Sequence, residues 1–244
     1  MKAIILSLTL LFFSLSNYYS CGNEYGYSLE GKRMFTRYFF LSSTNYQFNQ
    51  LKIKARLTEL TLELSKNQKD YKILSDIAVN LIKIGEADSS IQILQKLVHE
   101  KPKEYNLSAN LGTAYELVGK LDSALKYISK GYQLNKQSHR GSEWVHIKIL
   151  EAKIKQEKDA NWIIMNPIIS EKVLDQFKKT SKFNNNTVRQ INQNLFYQIK
   201  TRAPFTPAPN QTITNLLITL GDFNFKHGTY ENSILAYIYA LKFN

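Results

Sequence analysis

The chain has 244 residues, of which 43% are hydrophobic and 21% are charged, enough for one medium domain or a short solenoid with a continuous core. Its 10 glycines and 5 prolines argue against a collagenous or loop-rich all-β protein, and a single cysteine excludes an intramolecular disulfide. The net charge of +12 is dispersed, without an arginine-rich block, so we interpret it as ordinary solvated surface and do not expect binding to nucleic acid.

The first twenty residues have the features of an export signal. Lys2 gives a positive start, and the apolar run over residues 3–15 is shorter than the roughly 20 residues that span a bilayer. Such a length is typical of the apolar core of a secretory signal peptide. We therefore predict a signal peptide over residues 1–20.

Cys21 follows this run directly, between Ser20 and Gly22. The arrangement resembles the cleavage site of bacterial lipoproteins, which implies that Cys21 is the lipidated first residue of the mature chain. Tyr18 and Tyr19 depart from the pattern, because the family has an aliphatic and a small residue there.

Cleavage after Ser16 is the alternative, and it would leave Cys21 as a free thiol. We prefer lipidation, because a free thiol is unusual in an exported protein and several acyl chains anchor firmly to a membrane. Lipidation of Cys21 implies an outer-membrane lipoprotein of the cell envelope, facing the periplasm or the cell surface.

Residues 21–49 lack a clean helical period and are interpreted as a spacer, with the aromatic run Tyr38–Leu41 packed on the first helix. Gln50–Lys66 is predicted to be an amphipathic helix. Its apolar stripe consists of Ile53, Leu57, Leu60 and Leu64.

Tyr71–Pro102 repeats itself 34 residues later as Tyr105–Lys136, without a gap. A period of this length indicates stacked helix–turn–helix units. In each unit a glycine, Gly85 or Gly119, is predicted to end the first helix with a positive φ. The second helices are predicted to be capped by Asp88 or Ser89 and by Asp122 or Ser123.

The second unit resembles the tetratricopeptide repeat. The residues that carry the resemblance are Leu111-Gly112, Tyr115, Gly119, Ala124, Ile128 and Gly131. Their spacing returns near the C-terminus in Leu216, Leu220-Gly221, Gly228, Ser233, Tyr237 and Ala240, with Asn224 where an aromatic residue is expected. The resemblance implies an all-α helix–turn–helix solenoid over residues 50–160 and a C-terminal unit over 212–244.

The stretch between these units is divergent. Arg140–Gln156 is predicted to be a third first helix, and Asn166-Pro167 to interrupt its partner within a divergent section at 161–202. A further amphipathic helix is predicted there from Val188, Ile191, Leu195 and Ile199. Residues 203–211 are predicted to be a stiff, proline-rich linker. Since solenoids end in a polar cap, the uncapped C-terminal unit raises the expectation of a homo-oligomer.

The residue types of common active sites are present without the spacing that those sites need. The histidines His99, His139, His146 and His227 form no HExxH pattern and have no cysteine pair. No serine elbow or phosphate-binding glycine loop occurs. We therefore expect a protein without enzymatic activity, metal or cofactor.

In the tetratricopeptide family the first helix of each unit lines a concave groove. The resemblance therefore implies a groove lined by Lys72, Asp76, Val79, Lys83, Asn106, Asn110, Thr113, Glu116, Arg140 and Trp144. This combination of charged, amide and aromatic side chains suits the binding of an extended peptide. The resemblance therefore implies a scaffold that binds a protein or peptide partner. Ser75 and Val79 stand where the family's carboxylate clamp needs Lys and Asn.

Two other functions remain open at this point. One is a glycan- or polymer-binding envelope lipoprotein that uses Trp144 and the tyrosine-rich N-terminal segment. The other is an enzyme or enzyme subunit with its site in Trp162–Arg202, where no titratable residues cluster in the sequence.

Overall fold

The structure is a computed structural model that describes residues 24–29, 31, 33–36, 48–178 and 180–244. The predicted signal peptide, the lipidation site Cys21 and the aromatic run Tyr38–Leu41 lie outside these residues.

From residue 50 onward the described chain is helical, which confirms the predicted helical class. The elements are β1 (Glu24–Tyr27), β2 (Arg33–Thr36), α1 (Gln50–Lys66), α2 (Tyr71–Lys83), α3 (Ala87–Glu100), α4 (Tyr105–Leu117), α5 (Leu121–Leu134), α6 (Ser138–Gly141), α7 (Glu143–Lys158), α8 (Trp162–Met165), α9 (Glu171–Asp175), α10 (Asn185–Arg202), the 3-10 turn Ala203–Phe205, α11 (Gln211–His227) and α12 (Tyr230–Phe243).

β1 and β2 form an antiparallel hairpin within the segment that we had interpreted as a spacer. Glu24 pairs with Thr36 and Tyr27 with Arg33. Strands of four residues offer too few alternating positions for a period of two to stand out in the sequence.

The 34-residue sequence period is also the period of the helices. α2 and α4 have 13 residues each and begin at Tyr71 and Tyr105. α3 and α5 have 14 residues each and begin at Ala87 and Leu121. Gly85 and Gly119 have φ angles of 92° and 76°, which confirms their predicted role after the first helix of each unit.

The predicted caps of the second helices are wrong. α3 begins at Ala87 and α5 at Leu121, and neither helix has a side-chain cap. Asp88 and Asp122 lie inside the first turn instead, where a carboxylate interacts favourably with the positive end of the helix dipole.

Two helix pairs, α4–α5 and α11–α12, pack closely at a glycine. A Cβ atom added to Gly112 of α4 would lie 2.6 Å from Cγ1 of Ile128 on α5. At Gly221 of α11 it would lie 2.5 Å from the ring of Tyr237 on α12. The sequence register matches these two glycines and these two large residues, so the C-terminal pair repeats the helix crossing of the α4–α5 pair.

Gly228 does not repeat the turns of Gly85 and Gly119, because its φ angle is −113°. A Cβ atom on Gly228 would collide with the side chain of Asn224. Close approach to Asn224, rather than a positive φ, therefore accounts for the glycine at this position.

α7 joins two apolar cores. Leu150 belongs to the core of α2–α5, whereas the adjacent Ile149 belongs to the core that α7 shares with α8–α12. The helix begins at Glu143 and not at the predicted Arg140, because His139 and Arg140 have φ angles of 49° and 62°. A left-handed turn of this kind cannot continue into a right-handed helix.

The divergent section follows its predicted outline. α8 stops at Met165, before Asn166-Pro167, and all four predicted apolar residues of α10 are buried. The expectation of an extended linker from residue 203 is wrong for Ala203–Phe205, which forms a 3-10 turn. Phe205 packs against the α2–α5 core, and its ring lies 4.7 Å from that of Phe48. The turn thus attaches the end of α10 to the first units.

Among the helices that the structure describes, none is long and apolar enough to cross a membrane.

Candidate functional site

The groove residues predicted on α2 and α4 lie on two helices that contact each other. Lys72 and Asp76 are exposed. The half-buried members of the set are Val79, Lys83, Asn106, Asn110 and Thr113. These residues form the α2–α4 surface, a name used below for this set of seven.

Trp144 is not part of an accessible surface. Its side chain is buried, its Nε1 donates to Oδ1 of Asn194 at 2.9 Å, and its ring lies 4.8 Å from that of Phe177. Its placement in the predicted groove is therefore wrong: Trp144 is a core residue with a satisfied indole N–H.

Arg140 is exposed, but it lies on the α6 turn and contacts α10. Its guanidinium is 5.6 Å from the ring of Tyr197, and its backbone carbonyl accepts from Nδ2 of Asn194 at 3.0 Å. These contacts hold the turn on α10 and do not place Arg140 with the residues of α2 and α4.

Glu116, predicted at the end of the groove, is the centre of a nearly buried charge cluster. Its side chain is 9% exposed. Oε1 accepts from Nζ of Lys153 at 2.8 Å, and Oε2 lies 2.7 Å from Nε2 of His146. Nη2 of Arg202 is 3.5 Å from Oε2. Glu116 is thus engaged by α7 and α10.

The charge state of Glu116 follows from these neighbours. Burial disfavours the carboxylate, but Arg202, His146 and Lys153 together outweigh that effect and hold the pKa of Glu116 well below 4.5. Glu116 is therefore ionised at neutral pH and is paired within the protein.

A second carboxylate extends the cluster. Glu143 lies 3.5 Å from Nδ1 of His146 and accepts a short hydrogen bond from His139. Burial raises its pKa, but the hydrogen bond with His139 and the nearby His146 more than compensate and hold the pKa of Glu143 well below its ordinary value. His146 therefore bridges Glu116 and Glu143. Sequence reasoning treated these side chains separately, because nothing in their spacing shows that α4 and α7 meet there.

Asn106 has an unsatisfied polar atom on the α2–α4 surface. Its Oδ1 is buried and has no hydrogen-bond partner in the part of the chain that the structure describes. An unpaired buried acceptor costs about 1–3 kcal/mol, and a donor from outside reaches this one only if the Asn106 side chain turns outward.

In the C-terminal unit the residue that matches Asn106 is Asn215, and both its side-chain oxygen and its side-chain nitrogen form hydrogen bonds. Asn215 precedes Leu216 as Asn106 precedes Leu107. Its Nδ2 donates to the carbonyls of Ile163 and Asn166 at 2.8 Å, and its Oδ1 accepts from the backbone N–H of Ile168 at 2.8 Å.

Two of these three groups, the carbonyl of Asn166 and the N–H of Ile168, lie in the non-helical connection between α8 and α9. Asn166 and Ser170, which bracket it, both have extended φ and ψ angles. One side-chain amide on a first helix therefore binds two backbone groups of this connection, together with the carbonyl of Ile163 in α8. Sequence reasoning missed Asn215, although the register already paired it with Asn106, a predicted groove residue.

Two cavities adjoin these surfaces. One of about 420 Å³ opens beside Lys83 at the end of α2, with Ile82, Phe48 and Phe205 in its wall. The other, of about 340 Å³, lies beside the segment held by Asn215 and is walled by Phe183, Phe223 and His227, among others. Burial, with Lys178 and Lys226 nearby, lowers the pKa of His227.

The described residues contain no group of three or more His, Cys, Asp or Glu side chains arranged to hold a metal ion. The sequence matches no family model, and no curated protein matches it significantly.

Proposed function

We propose that the protein is a non-enzymatic scaffold or adaptor of the bacterial cell envelope. In this proposal its helix pairs form a tetratricopeptide-like solenoid, and the α2–α4 surface binds an extended segment of a partner protein. A lipid anchor on Cys21 holds the scaffold at the membrane, and signal cleavage removes residues 1–20.

The hydrogen bonds of Asn215 are the observation that carries the proposal. Within one chain, a first-helix asparagine already binds the backbone of a non-helical connection through both ends of its amide. An amide suits this task, because it offers two donors on nitrogen and two lone pairs on oxygen to a backbone that needs both kinds of partner.

Asn106 stands at the matching position of α4 with its Oδ1 unpaired. Asn110 lies one turn further along the same helix, so the two amides present successive contacts along an extended chain. In this proposal the Asn106 side chain turns outward on binding, and a backbone N–H from the peptide then supplies the bond that its Oδ1 lacks.

The 420 Å³ cavity beside Lys83 also supports the binding of a peptide segment to the α2–α4 surface. Ile82, Phe48 and Phe205 make part of its wall apolar, and Lys83 is a polar lining residue. A hydrophobic side chain from the bound segment fits this combination, since peptide affinity usually comes from a few anchors in pockets.

The glycan-binding alternative relied on Trp144 as an aromatic platform, and the burial of that residue removes this support. No observation favours the enzyme alternative over the scaffold.

Selection from a displayed library of random peptides, followed by fluorescence polarisation with the enriched peptides, tests the proposal. We expect Asn106→Ala and Asn110→Ala each to weaken binding about 3- to 10-fold, the value of a typical hydrogen bond. Gln92→Ala is the matched control, because Gln92 is an exposed amide on α3. Failure to enrich any peptide, or equal losses in all three variants, would contradict the proposal.

A further inference from the structure

The 340 Å³ cavity of the C-terminal unit lies on the face of α11 that matches the α2–α4 surface in the repeat register. Thr219 and Asp222 line the cavity, and they occupy the positions of Asn110 and Thr113 on α4. The connection that Asn215 holds contributes a further part of the wall. Ligand cavities in proteins measure about 300–1,000 Å³, so this one has room for a small organic molecule.

One part of the cavity wall is apolar and aromatic. Ile169, Leu174 and Phe223 are buried there. The ring of Phe183 lies 5.4 Å from that of Phe223, nearly perpendicular to it, and 4.7 Å from the imidazole of His227. His227 is neutral at neutral pH, because burial and the nearby lysines lower its pKa. This part of the wall therefore suits the apolar body of a ligand.

Two lysines also line the cavity, and each is paired with a carboxylate. Nζ of Lys178 lies 2.6 Å from Oδ1 of Asp175, and Lys226 of α11 forms an ion pair with Glu171 of α9. Nζ of Lys178 is also 4.9 Å from the centre of the Phe183 ring. A ring of the cavity wall thus already interacts with an ammonium group, through the negative potential of its face.

Asp222 is the third carboxylate of the cavity, and it forms no ion pair with any of the described residues. Its Oδ1 accepts from the hydroxyl of Tyr237 at 2.6 Å, which fixes the side chain. Lys226, one turn further along α11, is engaged with Glu171 instead. The cavity therefore has one more negative than positive charge, in a chain whose net charge is +12.

We propose that this cavity binds a small organic amine, with its protonated nitrogen at Asp222 and its apolar body against Phe183 and Phe223. An ammonium group forms a strong, charge-assisted hydrogen bond with a carboxylate. An anion of the same size would have to separate Glu171 or Asp175 from its lysine, so the cavity disfavours it. The residues that carry this inference are distinct from the α2–α4 surface, so it goes beyond the proposed function.

Isothermal titration calorimetry of the full chain, in a mild non-ionic detergent at neutral pH, tests the proposal. The ligands are 2-phenylethylamine, 2-phenylethanol and 3-phenylpropanoate, which share a phenyl ring and differ in the charge at the other end. We expect the amine to bind at least about 10-fold more tightly than the alcohol, and the carboxylate to bind most weakly. No binding of the amine, equal affinities for all three ligands or a preference for the carboxylate would overturn the proposal.

Variants locate the binding. Asp222→Asn keeps an oxygen for the hydroxyl of Tyr237 and removes the charge, so the amine should lose its advantage over the alcohol. Asp88→Asn is the matched control, because Asp88 is an exposed carboxylate on α3. Phe183→Leu keeps an apolar wall without an aromatic face and should weaken amine binding roughly 2- to 5-fold.

Asn106→Ala should bind the amine as the natural sequence does, which separates this test from that of the proposed function. Circular dichroism must show that Asp222→Asn and Phe183→Leu remain helical. Equal losses of amine affinity in Asp222→Asn and Asp88→Asn, or unchanged affinity in Asp222→Asn, would contradict the assignment of the site.

Discussion

Glu116 and Arg202 are 86 residues apart in the sequence, yet Oε2 of Glu116 and Nη2 of Arg202 lie 3.5 Å apart. The contact joins the end of α4 to the end of α10 and so connects the regular repeats to the divergent half of the chain. Arg202 is held in turn by Gln198, which donates to Oγ of Ser142 at 2.9 Å. The predicted groove residue at this place is therefore part of the framework.

Replacement of Glu116 should destabilise the whole body. Glu116→Gln leaves Arg202, His146 and Lys153 facing a neutral amide, and removal of one partner of a buried ion pair typically costs about 3–5 kcal/mol. Urea unfolding at neutral pH measures the loss. Glu157→Gln is the control, because Glu157 is an exposed residue of α7 and should change stability by less than about 0.5 kcal/mol. A Glu116→Gln variant as stable as this control would mean that the cluster does not form.

The same cluster predicts that acid destabilises the fold. The pKa of Glu116 in the folded protein is held well below 4.5. Its contribution to stability is therefore complete above the ordinary glutamate pKa and is lost as the pH falls through the lower, folded-state pKa. Glu143 acts in the same direction.

Urea midpoints measured from neutral pH down into the acid range check this sign. The natural protein should lose stability steadily below about pH 4.5, and the slope should be shallower in Glu116→Gln because one of the two shifted carboxylates of this cluster is absent. Parallel curves for the two proteins would be incompatible with a lowered pKa at Glu116.

A methyl group at Gly112 should separate α4 from α5. The new Cβ atom would lie 2.6 Å from Cγ1 of Ile128 and 2.9 Å from the Ile128 backbone nitrogen, so the helices must shift. Overpacking of this kind costs on the order of 1–3 kcal/mol, against a helix-propensity gain for alanine of about 1 kcal/mol at most. Thermal unfolding of Gly112→Ala should therefore show a lower midpoint.

A double variant, Gly112→Ala with Ile128→Ala, checks that the loss of stability comes from the contact between these two residues. The double variant should lose less stability than the sum of the two single variants, because the truncated side chain makes room for the new methyl group. Strict additivity would show that the two residues are not in contact.

Asn215 is expected to hold the α8 segment in place. Asn215→Leu removes three hydrogen bonds to backbone groups of Ile163, Asn166 and Ile168, and each group left unpaired costs about 1–3 kcal/mol when it is buried. Hydrogen exchange should show the amide of Ile168 losing protection before the amides of α4 do. The control is Gln193→Ala on the exposed side of α10, which should leave the exchange of Ile168 unchanged.

The regular helices could be predicted because the residues that determine them lie close together in the sequence. The period of 34, the turn glycines Gly85 and Gly119, and the apolar face of α10 depend on spacing along the chain. The spacing that matches Gly112 with Gly221 is also retained in the structure, where each glycine faces a large residue of the second helix, Ile128 or Tyr237. The caps at Asp88 and Asp122 were wrong because the helices begin one residue before those acidic side chains.

The surroundings of the predicted groove residues depend on contacts between distant parts of the chain, which the spacing of residues in the sequence does not reveal. Arg202 reaches Glu116 only because α10 returns toward the first units. Trp144 is buried in the core, and the acceptor for its N–H is Asn194, 50 residues later in the chain. The left-handed turn at His139 and Arg140 has no glycine signal at those two positions. These features follow from tertiary packing, which overrides local preference.

Binding of an extended segment to the α2–α4 surface is the central claim, and site-specific photo-cross-linking in intact cells tests it most directly. A benzophenone side chain is placed at Thr113, on the α2–α4 surface, and at Gln92, on the exposed side of α3. We expect Thr113 alone to form adducts, all to one short segment of a partner, and the same segment made as a synthetic peptide should abolish them by competition. Adducts of equal yield at both positions, or adducts that the peptide does not displace, would contradict the account.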